Sequence, residues 1–108
     1  MDAEYLPEQI TREQADALPG AVVLQFGTDW CGYCRGAAPK IEQAMTDAAV
    51  QRILIEDGKG RPLGRSYKVK LWPTLIFLAN GTEVARVVRP WKAEDVTAGL
   101  DELTAALG

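Results

Sequence analysis

The chain has 108 residues, of which 47% are apolar and 25% charged, and its net charge is −3. This size and balance predict a single domain over residues 1–108 with a sizeable core, and the acidic charge argues against nucleic acid or an anionic membrane surface as the main partner. Because the chain has no histidine and only two cysteines, it excludes Ser-His and Cys-His catalysis, histidine-ligated metal sites and zinc sites with three or four cysteines.

The first predicted elements are a short helix and a buried strand. Thr11 and Gln14 form a capping-box pattern for a helix that runs to about Leu18. Pro19-Gly20 then ends that helix. Residues 21–26 are nearly all apolar, which predicts a central strand buried on both faces.

A longer helix is predicted after a loop over residues 27–30. It begins at about Cys31 or Cys34 and ends at Ala49, and Pro39 inside it is expected to kink it. A core-facing stripe recurs at spacings of four and three, at Ile41, Met45 and Ala48.

The second half of the chain predicts a hairpin between helical segments. The remaining predicted elements are a strand over 53–55, a loop over 56–62, one or two helical turns over 63–68, strands over 74–79 and 83–88, and a helix from Lys92 onward. Asn80-Gly81 predicts the hairpin turn, because both residues tolerate positive φ. The last helix has one apolar face, formed by Val96, Leu100, Leu103 and Leu107. This order of elements predicts an α/β protein with a mixed sheet covered by helices on both faces.

The segment that indicates chemistry is Trp30-Cys31-Gly32-Tyr33-Cys34, where the buried strand leads into a helix. Two thiols three residues apart on a helical turn have Cβ atoms roughly 5–6 Å apart, close enough to form a disulfide. The start of a helix favours negative charge. Cys31 is therefore expected to be the attacking thiolate, and Cys34, deeper in the helix, the resolving thiol.

Two other interpretations of the cysteine pair stay open. The pair could be half of a zinc site that carboxylates or another subunit complete. The cysteines could also be inert and buried, although Gly32 and Tyr33 at a loop-to-helix junction argue against that.

With these residues in view, the chain resembles the thioredoxin family over nearly its whole length. The resemblance rests on residues 22–26, Trp30-Cys31-Gly32-Tyr33-Cys34, Pro39, Trp72-Pro73-Thr74 and Asn80-Gly81. It implies the thioredoxin fold, a central mixed sheet of four to five strands flanked by helices on both faces. It also implies a thiol–disulfide oxidoreductase that reduces protein disulfides through a Cys31/Cys34 couple, with no metal or bound cofactor.

The resemblance further assigns roles around the cysteines. It implies that Pro73 is a cis proline facing them, which leaves the backbone of Trp72 free to pair with an extended substrate. Substrate binding and positioning are assigned to Trp30, Gly32, Tyr33, Trp72, Pro73 and Thr74, and tuning of the couple to Gln25 and Pro39.

Several positions depart from the family pattern. Gly32-Tyr33 replaces the usual Gly-Pro and is similar to the pair in bacterial periplasmic disulfide isomerases. The missing proline frees the Tyr33 amide as a donor to a thiolate, so we expect a protein more oxidising than a thioredoxin at roughly −270 mV. Gln25 stands where the family carries a buried aspartate, so removal of the Cys34 proton would need water or another group.

Bulky side chains also surround the expected groove. Trp72 precedes the proline where smaller aliphatic residues are common, and Arg89 takes the place of a groove glycine. Together with Trp30 and Trp91, Trp72 could form an apolar rim around Cys31 that narrows the choice of partner. Partial burial of each tryptophan in the core is the alternative.

The expected partners are protein disulfides and a separate thiol reductase or electron donor, and a monomer is expected. No apolar run is long enough to span a membrane. Met1–Pro7 shows no leader signal, which predicts the cytoplasm, or the periplasm if a leader has been removed. The competing functions are an extracytoplasmic disulfide oxidant or isomerase, a non-catalytic binding module, and a metal site shared across a dimer.

Overall fold

The computed structural model describes residues 5–7 and 10–108. Within them the chain forms four helices and four strands. In chain order these are α1 (Arg12–Asp16), β1 (Ala21–Gly27), α2 (Gly32–Met45), β2 (Gln51–Glu56), α3 (Pro62–Ser66), β3 (Thr74–Ala79), β4 (Thr82–Val88) and α4 (Ala93–Leu107). Residues 1–4, on which the prediction of no leader partly depends, lie outside the described residues.

The four strands form one mixed sheet in the order β2-β1-β3-β4. β1 pairs in parallel with β2 and antiparallel with β3, and β3 pairs antiparallel with β4. The two central strands, β1 and β3, are almost entirely buried, which explains why both read as continuous apolar runs. The predicted mixed sheet is therefore confirmed, with four strands among the described residues.

Helices cover both faces of the sheet, and the sheet separates the core into two clusters. On one face, Ala15 of α1 and Leu63 of α3 pack with Tyr67 against β1 and β3. On the other face, α2 and α4 bury the side chains Ala37, Ile41, Met45, Val96 and Leu103. The predicted apolar face of the last helix is confirmed over its first turns, while Leu107 in its final turn is 40% exposed.

Several predicted boundaries were wrong by one to four residues. The strand predicted over 53–55 spans Gln51–Glu56, and the helical turns predicted over 63–68 span Pro62–Ser66. α2 ends at Met45 and not at Ala49, because the backbone tightens there and the Ala48 amide donates to the Met45 carbonyl three residues back. α1 likewise ends at Asp16 and not at Leu18, while its predicted capping box at Thr11 is present. Gly27, predicted to lie in a loop, is the last residue of β1.

Candidate active site

The two cysteines lie where β1 leads into α2. Cys31 is the N-cap residue of α2, and its Sγ accepts the backbone N–H of Cys34 at 3.4 Å. Both cysteines are free thiols, and they are 8% and 3% exposed, respectively. A sulfur in the N-cap position faces unpaired amides and the positive end of the helix dipole, which favour a thiolate. The donor is the Cys34 amide and not the Tyr33 amide that the sequence predicts, because the third residue of a helix is the one whose N–H points at the cap.

The second thiol is in a different environment. Burial raises the pKa of Cys34 from its ordinary value of 9.0 to about 12, because a thiolate loses its hydration inside the protein. A hydrogen bond with the Thr28 backbone acts in the opposite direction, but it is smaller than the effect of burial. Cys34 therefore holds its proton at neutral pH, as a resolving thiol does until it is needed.

Gln25 is hydrogen-bonded to two neighbouring side chains, Tyr5 and Arg52. Its side chain is buried on β1, where its Nε2 donates to the Tyr5 hydroxyl at 2.6 Å. Its Oε1 accepts two hydrogen bonds from the Arg52 guanidinium, at 3.1 Å from Nε and 2.8 Å from Nη2. Both polar atoms of the Gln25 side chain are thus hydrogen-bonded, and Tyr5 packs with Cys31 and Cys34 in one buried cluster.

Tyr5 was missed in the sequence, because it lies in no motif and far from both cysteines along the chain. Pairing of the N-terminal segment with β2 brings it to the site. Leu6 forms a parallel bridge with Ile55, its carbonyl accepting from the Glu56 amide at 2.7 Å. The Tyr5 amide donates to Asp29 Oδ1 at 3.0 Å, which ties the segment to the loop before Cys31.

The Trp72-Pro73-Thr74 segment enters the site just before β3. The Trp72–Pro73 peptide bond is cis, as the resemblance implies. Trp72 packs against the cluster that contains the cysteines, and its Nε1 donates to Asp57 Oδ2 at 2.8 Å. Thr74 is buried, and its hydroxyl donates to the Leu71 carbonyl at 2.6 Å. The Thr74 side chain therefore supports this segment from inside and does not line the surface.

Two of the three predicted rim residues meet beside Cys31. The rings of Trp30 and Trp72 are edge to face, with centroids 5.7 Å apart. Trp30 is 70% exposed and Trp91 is 78% exposed, so neither is a core residue. Trp91 is not part of this ring pair and instead lines a groove together with Tyr33.

That groove runs along the first turns of α2 and has a volume of about 690 Å³. It is lined by Gly32, Tyr33, Gly36, Ala37, Lys40, Arg89, Pro90 and Trp91. The Arg89 guanidinium lies 3.7 Å above the Tyr33 ring, and its Nε donates to the Trp72 carbonyl at 2.8 Å. Arg89 therefore occupies the backbone acceptor next to the cis bond.

Other predicted features lie outside this constellation. Pro39 is exposed in the middle of α2, five residues beyond Cys34, so its place is in the helix and not beside the thiols. In the part of the chain that the structure describes, no group of three or more His, Cys, Asp or Glu side chains could hold a metal ion. Over the same residues, no helix has the length and apolar content of a membrane span.

Comparison with known proteins gives consistent matches. The protein-family model described as Thioredoxin matches residues 8–102. The reduced form of thioredoxin 2 from Pseudomonas aeruginosa PAO1 superposes with a TM-score of 0.86 at 44% sequence identity, covering 98% of this chain and 99% of that one.

Curated relatives fall into two size classes. Thioredoxin from Echinococcus granulosus is 30% identical over 95 residues, which is 82% of this chain and 86% of that protein. Protein disulfide-isomerases from Triticum aestivum and Hordeum vulgare are 31% and 30% identical over 69% and 83% of this chain. This chain spans only 16% and 20% of the length of those two enzymes.

Proposed function

Because the chain belongs to the thioredoxin family, we infer that it is a dithiol–disulfide oxidoreductase that reduces disulfide bonds of other proteins through Cys31 and Cys34. The predicted thioredoxin fold and family membership are confirmed. The observation that carries the proposed activity is the N-cap position of Cys31, whose sulfur accepts the Cys34 amide at 3.4 Å. That position favours a thiolate on Cys31, the less buried of the two cysteines, while Cys34 is protonated and more deeply buried.

The proposed reaction has two sulfur exchanges. The Cys31 thiolate attacks one sulfur of a substrate disulfide, forming a mixed disulfide, and the other substrate sulfur leaves with the electron pair and takes up a proton. Cys34 then loses its proton and attacks the Cys31 sulfur. The Cys31–Cys34 disulfide forms, the bond to the substrate breaks, and the second substrate sulfur leaves as a thiolate. Two electrons pass from the protein to the substrate.

A separate thiol reductase or electron donor returns the protein to its dithiol form. The couple needs no metal or bound cofactor, because the two thiols themselves carry the electrons. The monomeric protein works in the cytoplasm, where the glutathione and thioredoxin systems keep such pairs reduced.

The substrate lies over the cis Trp72–Pro73 bond as an extended segment. The backbone of Trp72 pairs with it as an added strand would. Trp30 and Tyr33, both largely exposed beside Cys31, contact its apolar side chains. This placement is supported by the edge-to-face pair of Trp30 and Trp72, which gives the entrance to Cys31 an apolar wall.

The proposed sulfur roles are tested with two serine variants and insulin as the disulfide substrate. Cys34→Ser should accumulate a covalent complex that excess dithiothreitol releases, because Cys31 can attack but nothing resolves the mixed disulfide. Cys31→Ser should form no complex, and its reduction rate should fall to that of dithiothreitol alone. Activity of Cys31→Ser at the wild-type rate would contradict the proposed role of Cys31.

A second candidate function is that of a disulfide oxidant or isomerase outside the cytoplasm. It is favoured by the similarity to protein disulfide-isomerases and by the Gly32-Tyr33 pair between the cysteines. Both candidates use the same sulfur chemistry. They differ in reduction potential, roughly −270 mV for a thioredoxin and roughly −180 mV for protein disulfide isomerase.

A further inference from the structure

A run of side-chain hydrogen bonds leads from the surface to the buried thiol. Glu42 accepts from Arg52 Nη1 at 2.8 Å. Arg52 donates two further bonds to Gln25 Oε1, at 3.1 and 2.8 Å. Gln25 Nε2 donates to the Tyr5 hydroxyl at 2.6 Å, and Tyr5 packs against Cys34.

The chemistry of these groups fixes the direction of every bond. A guanidinium can only donate, so the Gln25 oxygen must face Arg52 and its NH₂ group must face Tyr5. The Tyr5 oxygen therefore accepts a hydrogen bond from Gln25 Nε2, and its own O–H points away from that amide. From Arg52 inward, through Gln25 to Tyr5, each donor points toward the end where Cys34 lies.

Gly27 allows the Tyr5 ring and the Cys34 sulfur to meet. A Cβ atom at Gly27 would lie 2.7 Å from Cys34 Sγ and 2.8 Å from Tyr5 Cζ, the carbon that carries the hydroxyl. The sulfur and that carbon thus share the space that a side chain at position 27 would occupy. The Tyr5 hydroxyl is therefore within reach of the Cys34 sulfur.

We propose that Tyr5 is a catalytic residue of the resolving step, donating a hydrogen bond from its hydroxyl to Cys34 Sγ as that sulfur becomes a thiolate. Gln25 and Arg52 are positioning residues that orient the phenol. This role rests on the proposed function. Tyr5 keeps its own proton throughout: the Cys34 proton goes to water, Cys34 attacks Cys31, and the substrate sulfur leaves with the electron pair.

The electrostatics of the pair agree with a donor role for the phenol. Burial raises the pKa of the Tyr5 hydroxyl well above its ordinary value, so the hydroxyl stays protonated and able to donate. Burial also raises the pKa of Cys34, whereas the hydrogen bond with Tyr5 lowers it. The titratable and charged groups around this pair are Cys31, Asp29 of the loop before α2, and Arg52 of β2.

The test separates the two sulfur exchanges. Reduced protein is mixed with dithiobis(nitrobenzoate), and release of thionitrobenzoate is followed by stopped flow over a range of pH. The first release reports attack by Cys31 and the second reports resolution by Cys34. In Tyr5→Phe the first should keep its wild-type rate. The second should slow roughly tenfold and its pH midpoint should rise by about one unit, because a hydrogen bond to a charged sulfur is lost.

Tyr67→Phe is the matched control. Tyr67 is also buried, and the described residues offer its hydroxyl no hydrogen-bond partner, so both releases should keep their wild-type rates. Wild-type resolution and an unchanged midpoint in Tyr5→Phe would overturn the role of Tyr5 and leave the proposed function standing. Absence of the first release in the wild-type protein would instead refute the proposed function.

A second variant keeps the inference testable if Tyr5→Phe does not fold. Arg52→Met retains the aliphatic length of the side chain but removes both donors to Gln25. Because the amide is then free to turn away from the phenol, the second release should slow roughly threefold. A wild-type second release in Arg52→Met would show that the run of hydrogen bonds does not serve Cys34.

Discussion

Arg89 covers the backbone acceptor that an added substrate strand would use. Its Nε donates to the Trp72 carbonyl at 2.8 Å, and its guanidinium lies over the Tyr33 ring. Its own φ is +50°, in the left-handed region that glycine adopts without cost. In the proposed binding mode a substrate amide competes with Arg89 for the Trp72 carbonyl, so we expect this side chain to restrict the choice of substrate.

Replacement of this side chain should speed the reaction with general disulfide substrates. In Arg89→Gly the Trp72 carbonyl is free and the backbone strain is relieved. We expect KM for insulin to fall roughly two- to tenfold, about the net value of one ordinary hydrogen bond, with kcat little changed. Steady-state kinetics of insulin reduction measure both quantities.

The control for charge is Arg86→Gln. Arg86 lies on β4 and pairs with Glu83 at 2.8 Å, so its loss changes the net charge equally without touching Trp72. Its KM should stay at the wild-type value. An Arg89→Gly protein with unchanged or higher KM would show that Arg89 does not compete with substrate.

Residues of the site differ in how far the sequence could predict them. Cys31 and Cys34 were found because their spacing and their place before a helix are local signals. Tyr5 could not be found in this way, because only the bridge between Leu6 and Ile55 brings it to Cys34. Gln25 in place of an aspartate predicts that water or another group acts near Cys34, but this substitution does not indicate which residue supplies that group.

At the scale of elements, the turn of the β3–β4 hairpin requires positive φ and also packs closely against the end of α1 and the residue before β1. Asn80 and Gly81 have φ of +49° and +83°, the positive values that a tight hairpin turn requires. Asn80 Oδ1 also accepts from the Gly20 amide at 2.8 Å. A Cβ at Gly81 would collide with the Asp16 backbone carbonyl, so this glycine is needed for its conformation and for its lack of a side chain.

Two glycine-to-alanine variants should therefore change stability in opposite directions. Gly81→Ala should lower the free energy of unfolding by about 1–3 kcal/mol, because of positive φ and the collision with Asp16. Gly36→Ala should raise it by about 0.5–1 kcal/mol, since Gly36 lies inside α2 with open space around it. Urea denaturation measures both, and a Gly81→Ala protein as stable as wild type would contradict the account of the turn.

Elements whose signals are local were predicted closely. The strand over 74–79 and the turn after it match the structure residue for residue. The end of α2 was placed four residues too late, because Ala48 continues the apolar spacing and packs against the core although its backbone has left the helix. Apolar periodicity records burial, and burial continues past the last helical hydrogen bond.

For the whole molecule, the protonated state of Cys34 links stability to pH. The pKa of this thiol is about 12 in the folded protein against 9.0 for an ordinary thiol. Between these values the unfolded chain loses the proton while the folded protein keeps it, so folding is disfavoured as pH rises. The stabilising contribution is complete below about pH 9 and disappears as the pH rises through about 12.

The reduced protein should accordingly lose stability over that range relative to the oxidised protein. In the oxidised form Cys34 is in a disulfide and cannot ionise. The unfolding free energy of the reduced protein minus that of the oxidised protein should fall by at most about 1.4 kcal/mol per pH unit. Urea unfolding at several pH values, with and without reductant, gives this difference. A difference independent of pH would mean that Cys34 ionises equally in the folded and unfolded chain.

The bridge between Leu6 and Ile55 connects the N-terminal segment to the cysteine pair. Two backbone hydrogen bonds, at 3.4 and 2.7 Å, join Leu6 to the outer edge of β2. These bonds keep the neighbouring Tyr5 phenol close to the Cys34 sulfur. Separation of the Leu6 segment from β2 would leave α2 intact but would remove the Tyr5 phenol from the Cys34 sulfur. A molecule that binds this N-terminal segment and separates it from β2 is then expected to slow the resolving step without contacting the groove.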